Sequence, residues 1–190
     1  MKRNMVLLIL FCMTITAIAF ATVNDDLIFA SYKGLHENVK LSIERGADIN
    51  SQNSYGETPL MIASKQGYPD IVDLLLQAKA DINKTGNGNY TALLFAIENN
   101  QTAIAKKLIA GGADVNVVRN QYSGAETTPL ILALKNNNND LAKLLIDKGA
   151  DVNHRTWGFF MGMWGDSPLG IAQSNNNQEM IQLLKEKGAN

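Results

Sequence analysis

The sequence has few of the residues on which disulfides, metal sites and acid–base catalysis depend. Among its 190 residues there are one cysteine, Cys12, and two histidines, His36 and His154. A single cysteine excludes an internal disulfide framework and cysteine-based metal sites. Basic and acidic side chains nearly balance, 17 against 18, and no basic run exceeds two residues. The chain therefore lacks the positive footprint of nucleic-acid binding. We predict no nucleic-acid partner, no metal and no cofactor.

The first 21 residues resemble an export signal. Lys2 and Arg3 give a positive start, residues 5–18 are apolar apart from two threonines, and Ala19-Phe20-Ala21 supplies a small-x-small cleavage pattern. We predict a signal peptide over 1–21, cleavage before Thr22, and a periplasmic or secreted mature protein. The alternative is a retained membrane anchor, because the uncharged stretch over 5–23 is nearly long enough to span a bilayer.

The rest of the chain contains an internal repeat with two markers. Gly46-Ala47-Asp48-Ile49-Asn50 recurs in similar form from Lys79, Gly112 and Gly149, and Thr58-Pro59-Leu60 recurs from Thr91, Thr128 and Ser167. The interval from the second marker to the next first marker is 21 positions in every unit: 58 to 79, 91 to 112, 128 to 149 and 167 to 188. Successive second markers lie 33, 37 and 39 positions apart, so the extra residues fall in the links between units. A constant core with variable links indicates stacked repeats.

Each unit has the pattern of a helical hairpin. Thr58 is suited to cap a helix N-terminus, and Pro59 suits the first helical position. Gly67 then separates two apolar helical segments. Gly46, Gly112 and Gly149 suit a left-handed turn after the second helix, and the asparagine runs at 99–100, 136–139 and 175–177 suit the same geometry between the helices. The aspartates of the first marker, which recur in every unit, are interpreted as turn supports, and His154 as a solvated link residue.

Two helices per ~33 residues, with a Thr-Pro-Leu start and a Gly-Ala-Asp-Val-Asn end, resemble the ankyrin repeat. The resemblance covers residues 25–190 and implies an all-α ankyrin-repeat solenoid of about five helical-hairpin units. These units span 25–50, 51–83, 84–116, 117–153 and 154–190, and together they form one domain over 22–190. Lys79 and Ala92 depart from the family's glycine and proline, and Asp25-Asp26 replaces the Thr-Pro start in the first unit.

The resemblance implies partner binding through the links and the first-helix face. The links contain three tyrosines, Tyr55, Tyr90 and Tyr122, which form either a binding edge or packing between links. First-helix candidates at family-equivalent positions are Ser64, Lys65, Glu98, Lys135 and Ser174.

The last link is unusually apolar. It contains both tryptophans of the chain, and its candidate contact residues are Trp157, Phe159, Phe160, Met161, Met163 and Trp164. The alternation of Trp157, Phe159, Met161 and Met163, together with the glycines at 158, 162 and 165, is typical of a tight hairpin. Three interpretations remain open: a lid folded over the array, a finger that binds a protein partner, or a contact with a membrane surface.

No phosphate loop, nucleophile elbow or paired histidine is present, and the five units leave no residues for a catalytic domain. We therefore predict an exported, non-enzymatic protein–protein interaction module, monomeric when unbound, such as an inhibitor, an immunity-type protein or a protective periplasmic factor. The alternative is a secreted effector or enzyme-associated array that acts on a host or envelope target.

Overall fold

The computed structural model describes residues 22–120, 126–156 and 166–190, and these form an all-α solenoid. The helices are α1 (22–33), α2 (His36–Glu44), α3 (Pro59–Gln66), α4 (Pro69–Gln77), α5 (Ala92–Glu98), α6 (Thr102–Ala110), α7 (Pro129–Lys135), α8 (Asn139–Asp147), α9 (Pro168–Ser174) and α10 (Gln178–Glu186). Asn87–Asn89 form a short 3-10 turn, and the strands β1 (Arg119–Asn120) and β2 (Glu126–Thr127) pair antiparallel with Arg119 opposite Thr127. The fold class predicted from the repeat is confirmed.

The first helix of units two to five begins at the predicted cap. The Thr58, Thr91, Thr128 and Ser167 hydroxyls each accept a hydrogen bond from the backbone amide three residues later, so each satisfies a free N–H of the first turn. Thr91 caps α5 without a following proline, so Ala92 does not impair the start. In unit one the expected start at Asp25-Asp26 is wrong, because both residues lie within α1. No proline fixes the first helical position there, and residues 22–24 are already helical.

The predicted left-handed turns are present. Gly46, Gly112 and Gly149 have φ of 84°, 91° and 87° after their second helices, and Asn100, Asn137 and Asn176 have φ of 57°, 54° and 53° between paired helices. Asparagine adopts this conformation more readily than other residues with a side chain. Lys79 has the same turn with φ of 63°. Lysine lacks that tolerance, so unit two closes at some cost in stability.

Exchanging the turn residues of units two and three should therefore move stability in opposite directions. Lys79→Gly should raise the free energy of unfolding by about 0.5 kcal/mol, because relief of the left-handed strain exceeds the added flexibility of the unfolded chain. Gly112→Lys should lower it by about 1 kcal/mol. A Cβ at Gly112 would meet nothing within 4 Å, so that loss would be conformational and not steric. Urea unfolding measures both, and a loss of stability in Lys79→Gly would contradict this account.

The units stack so that equivalent helices pack side by side. The first helices α3, α5, α7 and α9 contact one another in sequence, as do the second helices α4, α6 and α8. Small Ala63, Ala96 and Ala133 lie at one register on the first helices and are fully buried, which lets these helices approach closely. Fully buried leucines lie at one register on the second helices: Leu75, Leu108, Leu145 and Leu184. The core is therefore a continuous column shared between units.

A ladder of asparagine side chains joins the links. The asparagine that ends each first marker accepts a hydrogen bond from the backbone of the next unit: Asn50 from Asp81, Asn83 from Asp114, Asn116 from Asp151 and Asn153 from Asn190. The side-chain amides of Asn83, Asn116 and Asn153 also donate to the carbonyls of Gly112, Gly149 and Gly188 in the following units. The aspartates act locally, as predicted, and each accepts from the amide two residues later. Asn24 extends the ladder into α1 by accepting from Asp48 at 2.8 Å.

Ion pairs on the second helices add contacts between units. Lys143 of α8 pairs with Glu179 of α10 at 2.6 Å, and Lys107 of α6 pairs with Asp73 of α4. The hydrogen bond to the Glu179 carboxylate raises the pKa of Lys143. The Lys143–Glu179 pair is exposed and the Lys107–Asp73 pair is only half-buried, so both contribute less than the buried column. Within the described ranges, no helix has the length and apolar character needed to cross a membrane.

Candidate interaction surface

One register on the first helices faces the side of the array that carries the links. It is occupied by Tyr32, Lys65, Glu98, Lys135 and Ser174, and all but the half-buried Lys65 are exposed. Four of these five were predicted from the sequence. The fifth predicted residue, Ser64, is wrong as a surface residue, because its side chain is fully buried. Its register is a core position, which the buried Ile97 and Leu134 fill in the next two units.

Two neighbouring clusters on this face combine an aromatic ring, a cation and a carboxylate. In the first, the Lys65 ammonium lies 5.0 Å from the centre of the Phe95 ring and pairs with Glu57 at 2.8 Å. Glu57 is held in turn by the Asn53 side-chain amide at 3.0 Å. A cation over a ring is attracted by the negative face of that ring, and the carboxylate neutralises its charge.

In the second cluster, Arg119 of β1 lies over the Tyr90 ring at 4.8 Å and donates to the Glu98 carboxylate at 2.7 Å and to the Tyr90 hydroxyl. Tyr90 stacks on Phe95 with ring centres 4.5 Å apart, so the two clusters are continuous. Arg119 is only 6% exposed, and an arginine this deeply buried needs its carboxylate partner. The second cluster therefore attaches the third link to the first-helix face.

Removing Glu98 should destabilise the array more than removing an exposed acid. Glu98→Ala should lower the free energy of unfolding by about 2 kcal/mol, because the buried Arg119 loses a charge-assisted hydrogen bond. Glu179→Ala is the matched control, since Glu179 pairs with a lysine at the surface. Thermal and urea unfolding should show a clear loss for Glu98→Ala and no measurable change for Glu179→Ala. Equal effects in the two variants would show that burial of Arg119 is not what matters.

The tyrosines of the proposed binding edge differ in their exposure to solvent. Tyr55 is 72% exposed, whereas Tyr90 is half-buried and packs on Phe95 and Arg119. Tyr122 lies outside the described residues. Each interpretation therefore fits one of the two described tyrosines: Tyr55 is exposed and available for binding, and Tyr90 packs against its neighbours.

A groove lies at the N-terminal end of this face. Its volume is about 550 Å³, and it lies between α1, the first link (residues 51–57) and α3. Phe29, Tyr32 and Tyr55 line it and are 55%, 51% and 72% exposed. The sequence reasoning missed Phe29 and Tyr32. The repeat of 33 residues would have identified them. Tyr32 lies 33 positions before Lys65, and Phe29 lies twice that distance before Phe95.

The described ends of the last link, Thr156 and Asp166, are joined by hydrogen bonds. The backbone amide and hydroxyl of Thr156 both donate to the Asp166 carbonyl, at 3.1 and 3.3 Å. The Asp166 carboxylate pairs with Lys135 of α7 at 2.6 Å, which fixes this base to the first-helix face. His154 beside it is half-buried, and its Nε2 atom is buried without a hydrogen-bond partner, contrary to the expectation of a solvated residue. The candidate residues Trp157, Phe159, Phe160, Met161, Met163 and Trp164 lie outside the described residues.

A family model described as "Ankyrin repeats (3 copies)" matches residues 27–119 and 117–190. The chain belongs to the ankyrin-repeat family. No curated protein sequence matches it significantly.

Ankyrin repeats mediate protein–protein binding, and the family is typically a non-enzymatic scaffold, so this array is a protein–protein interaction module. The clusters around Phe95 and Tyr90 are engaged in contacts within the array. The groove at Phe29, Tyr32 and Tyr55 is the part of the described face with its aromatic rings open to solvent. In the described ranges, no grouping of histidine, cysteine and acidic side chains could hold a metal ion.

Proposed function

We propose that this ankyrin array is an exported protein-binding module of the periplasm, an inhibitor, immunity-type protein or protective factor that acts by occupying one protein partner. The observation that carries the proposal is the set of three exposed aromatic side chains around the N-terminal groove. Exposed aromatic residues on a rigid face supply large contact area at low entropic cost. They have no role in the core, which the buried alanine and leucine registers complete without them.

The aromatic insert is the second contact in this proposal. Its base at Thr156 and Asp166 is attached through Lys135 to the same first-helix register that carries Tyr32. A partner that lies along this register can contact the groove at one end and the insert at the other. Two separated contacts on one rigid support give higher affinity than either gives alone.

Export is tested by fractionating cells that produce the protein and determining its N-terminus by mass spectrometry. We expect a chain that begins at Thr22 in the soluble envelope fraction, because the small-x-small pattern ends at Ala21. A chain that begins at Met1 and resists carbonate extraction from membranes would show that the first 21 residues are an anchor.

Partner binding is tested by capture from an envelope extract of the source cells on the immobilised protein. A Phe29→Ala, Tyr55→Ala double variant should lose the captured protein, since it removes two of the exposed rings. Leu41→Ala is the control, because Leu41 is a similarly exposed apolar residue on α2 outside the groove. A wild-type protein that captures nothing, or capture that is equal in both variants, would contradict binding through this face.

A further inference from the structure

The groove at the N-terminal end offers an aromatic ring and a carboxylate, as the two internal clusters do, but no cation of the described chain is paired with either of them. In each cluster a ring, a cation and a carboxylate meet: Phe95 with Lys65 and Glu57, and Tyr90 with Arg119 and Glu98. In the groove, Tyr55 supplies an open ring and Asp25 supplies a carboxylate. Within ranges 22–120, 126–156 and 166–190, neither Asp25 nor the ring of Tyr55 has a cation of the chain beside it.

The other charges at the groove are already neutralised or lie to one side. Lys65 and Glu57 both line it, but they pair with each other. Lys33 lies over the Tyr32 and Phe29 rings, at 5.1 and 5.9 Å, and is not part of the lining. Among the lining residues, Asp25 therefore carries the one unpaired charge, and Tyr55 of the same lining supplies an exposed ring. Ile28 and Ile62 add apolar lining.

We propose that this groove binds an arginine side chain presented by an extended apolar segment of the protein partner. Arginine fits because its planar guanidinium stacks on an aromatic ring and donates in parallel to a carboxylate. The bound arginine would complete at Tyr55 and Asp25 the arrangement that Arg119 makes at Tyr90 and Glu98. A volume of about 550 Å³ accommodates the arginine and its apolar neighbours. The inference rests on the proposed function, since it names the chemistry of the partner at this face.

The test uses the purified protein and a defined probe, the peptide acetyl-Ser-Leu-Arg-Val-Ser-amide. The same peptide with citrulline in place of arginine is the neutral isostere. We expect the arginine peptide to shift the NMR signals of Tyr55 and of the other groove residues and to bind at least about 10-fold more tightly than the citrulline peptide. Equal binding of the two peptides, or shifts that fall outside the groove, would overturn the proposal.

Two variants and a control identify the groups responsible. Asp25→Asn should weaken the arginine peptide about 5-fold, and Tyr55→Leu, which keeps the bulk and removes the ring, should do the same. Asp26→Asn is the matched control, because Asp26 is the adjacent exposed aspartate of α1 and does not line the groove. Melting curves should be the same for all three. Equal weakening by Asp25→Asn and Asp26→Asn would indicate a general charge effect and would contradict the proposal.

Further outcomes separate this inference from the proposed function. If N-acetyl-arginine-amide binds as tightly as the peptide, the groove holds a small molecule and the partner-segment inference is wrong. If envelope capture proceeds but is unaffected by Asp25→Asn and Tyr55→Leu, the interaction function stands and the arginine inference fails. If the groove binds the arginine peptide and no partner is captured, the proposed function fails instead.

Discussion

Replacing Leu75 by alanine should lower the free energy of unfolding by about 2 to 5 kcal/mol, the range for large-to-small substitutions at buried leucines. Leu75 is 0% exposed and lies on α4 at the register that continues through Leu108 and Leu145. Truncation removes apolar contacts and leaves a cavity that the flanking helices cannot close without moving. Because α4 packs between α2 and α6, the cavity weakens the attachment of unit two to both neighbours.

The measurement is urea unfolding followed by circular dichroism, with Leu41→Ala as the control. Leu41 has the same side chain on α2 but is 41% exposed, so its truncation removes little buried area. Chelators and reductants should leave the melting temperature unchanged, since the stack is held by packing. A Leu75→Ala loss no larger than that of Leu41→Ala would contradict the assignment of this column as the core.

Features that depend on local chemistry were predictable from the sequence. The Thr58, Thr128 and Ser167 caps and the left-handed Gly46 and Asn137 turns are all present. Each is decided within a few residues, by a hydroxyl that reaches a nearby amide or by the tolerance of glycine and asparagine for positive φ. Because these signals recur at a fixed interval, they also established the helical hairpin and its stacking.

Features that depend on contacts between units were not predictable in the same way. The Asn116 side chain joins Asp151 and Gly149 of the next unit, and the Arg119 side chain reaches back to Tyr90 and Glu98. In the sequence, the asparagine belonged to a turn-prone link, and Arg119 had no predicted role. Only the distance between stacked units, which the three-dimensional fold sets, brings these groups within hydrogen-bond range.

The candidate groove likewise contains residues that the sequence identified and residues that it did not. Tyr55 was identified as a candidate because a tyrosine in a polar link stands out by composition. Phe29 and Tyr32 were missed because α1 has apolar residues at both buried and exposed positions: Leu27 and Ala30 are buried, whereas Phe29 and Tyr32 are exposed. Their exposure follows from the end of the array, since no preceding unit of the described chain covers the register of Phe29, whereas Lys65 covers the equivalent Phe95.

The double change Trp157→Ala, Trp164→Ala should weaken partner binding by at least about 2 kcal/mol, or roughly 30-fold, and leave the melting temperature unchanged. The reason is that tryptophan is the residue most enriched among those that dominate binding energy, and both tryptophans of the chain lie in this insert. Trp157→Phe, Trp164→Phe is the control, because it keeps an aromatic ring at each position and should retain most of the affinity.

Three measurements on the alanine variant distinguish the interpretations of the insert: melting temperature, capture of the envelope partner, and flotation with phospholipid vesicles. A partner-binding finger predicts lost capture with normal melting. A lid over the array predicts a lower melting temperature, since burial of aromatic area is then lost from the fold itself, and capture falls only as the protein unfolds. A membrane contact predicts that the wild type floats with vesicles and the variant does not. A variant that matches the wild type in all three would contradict every role considered for this segment, and would leave the groove at Tyr55 as the binding surface of the array.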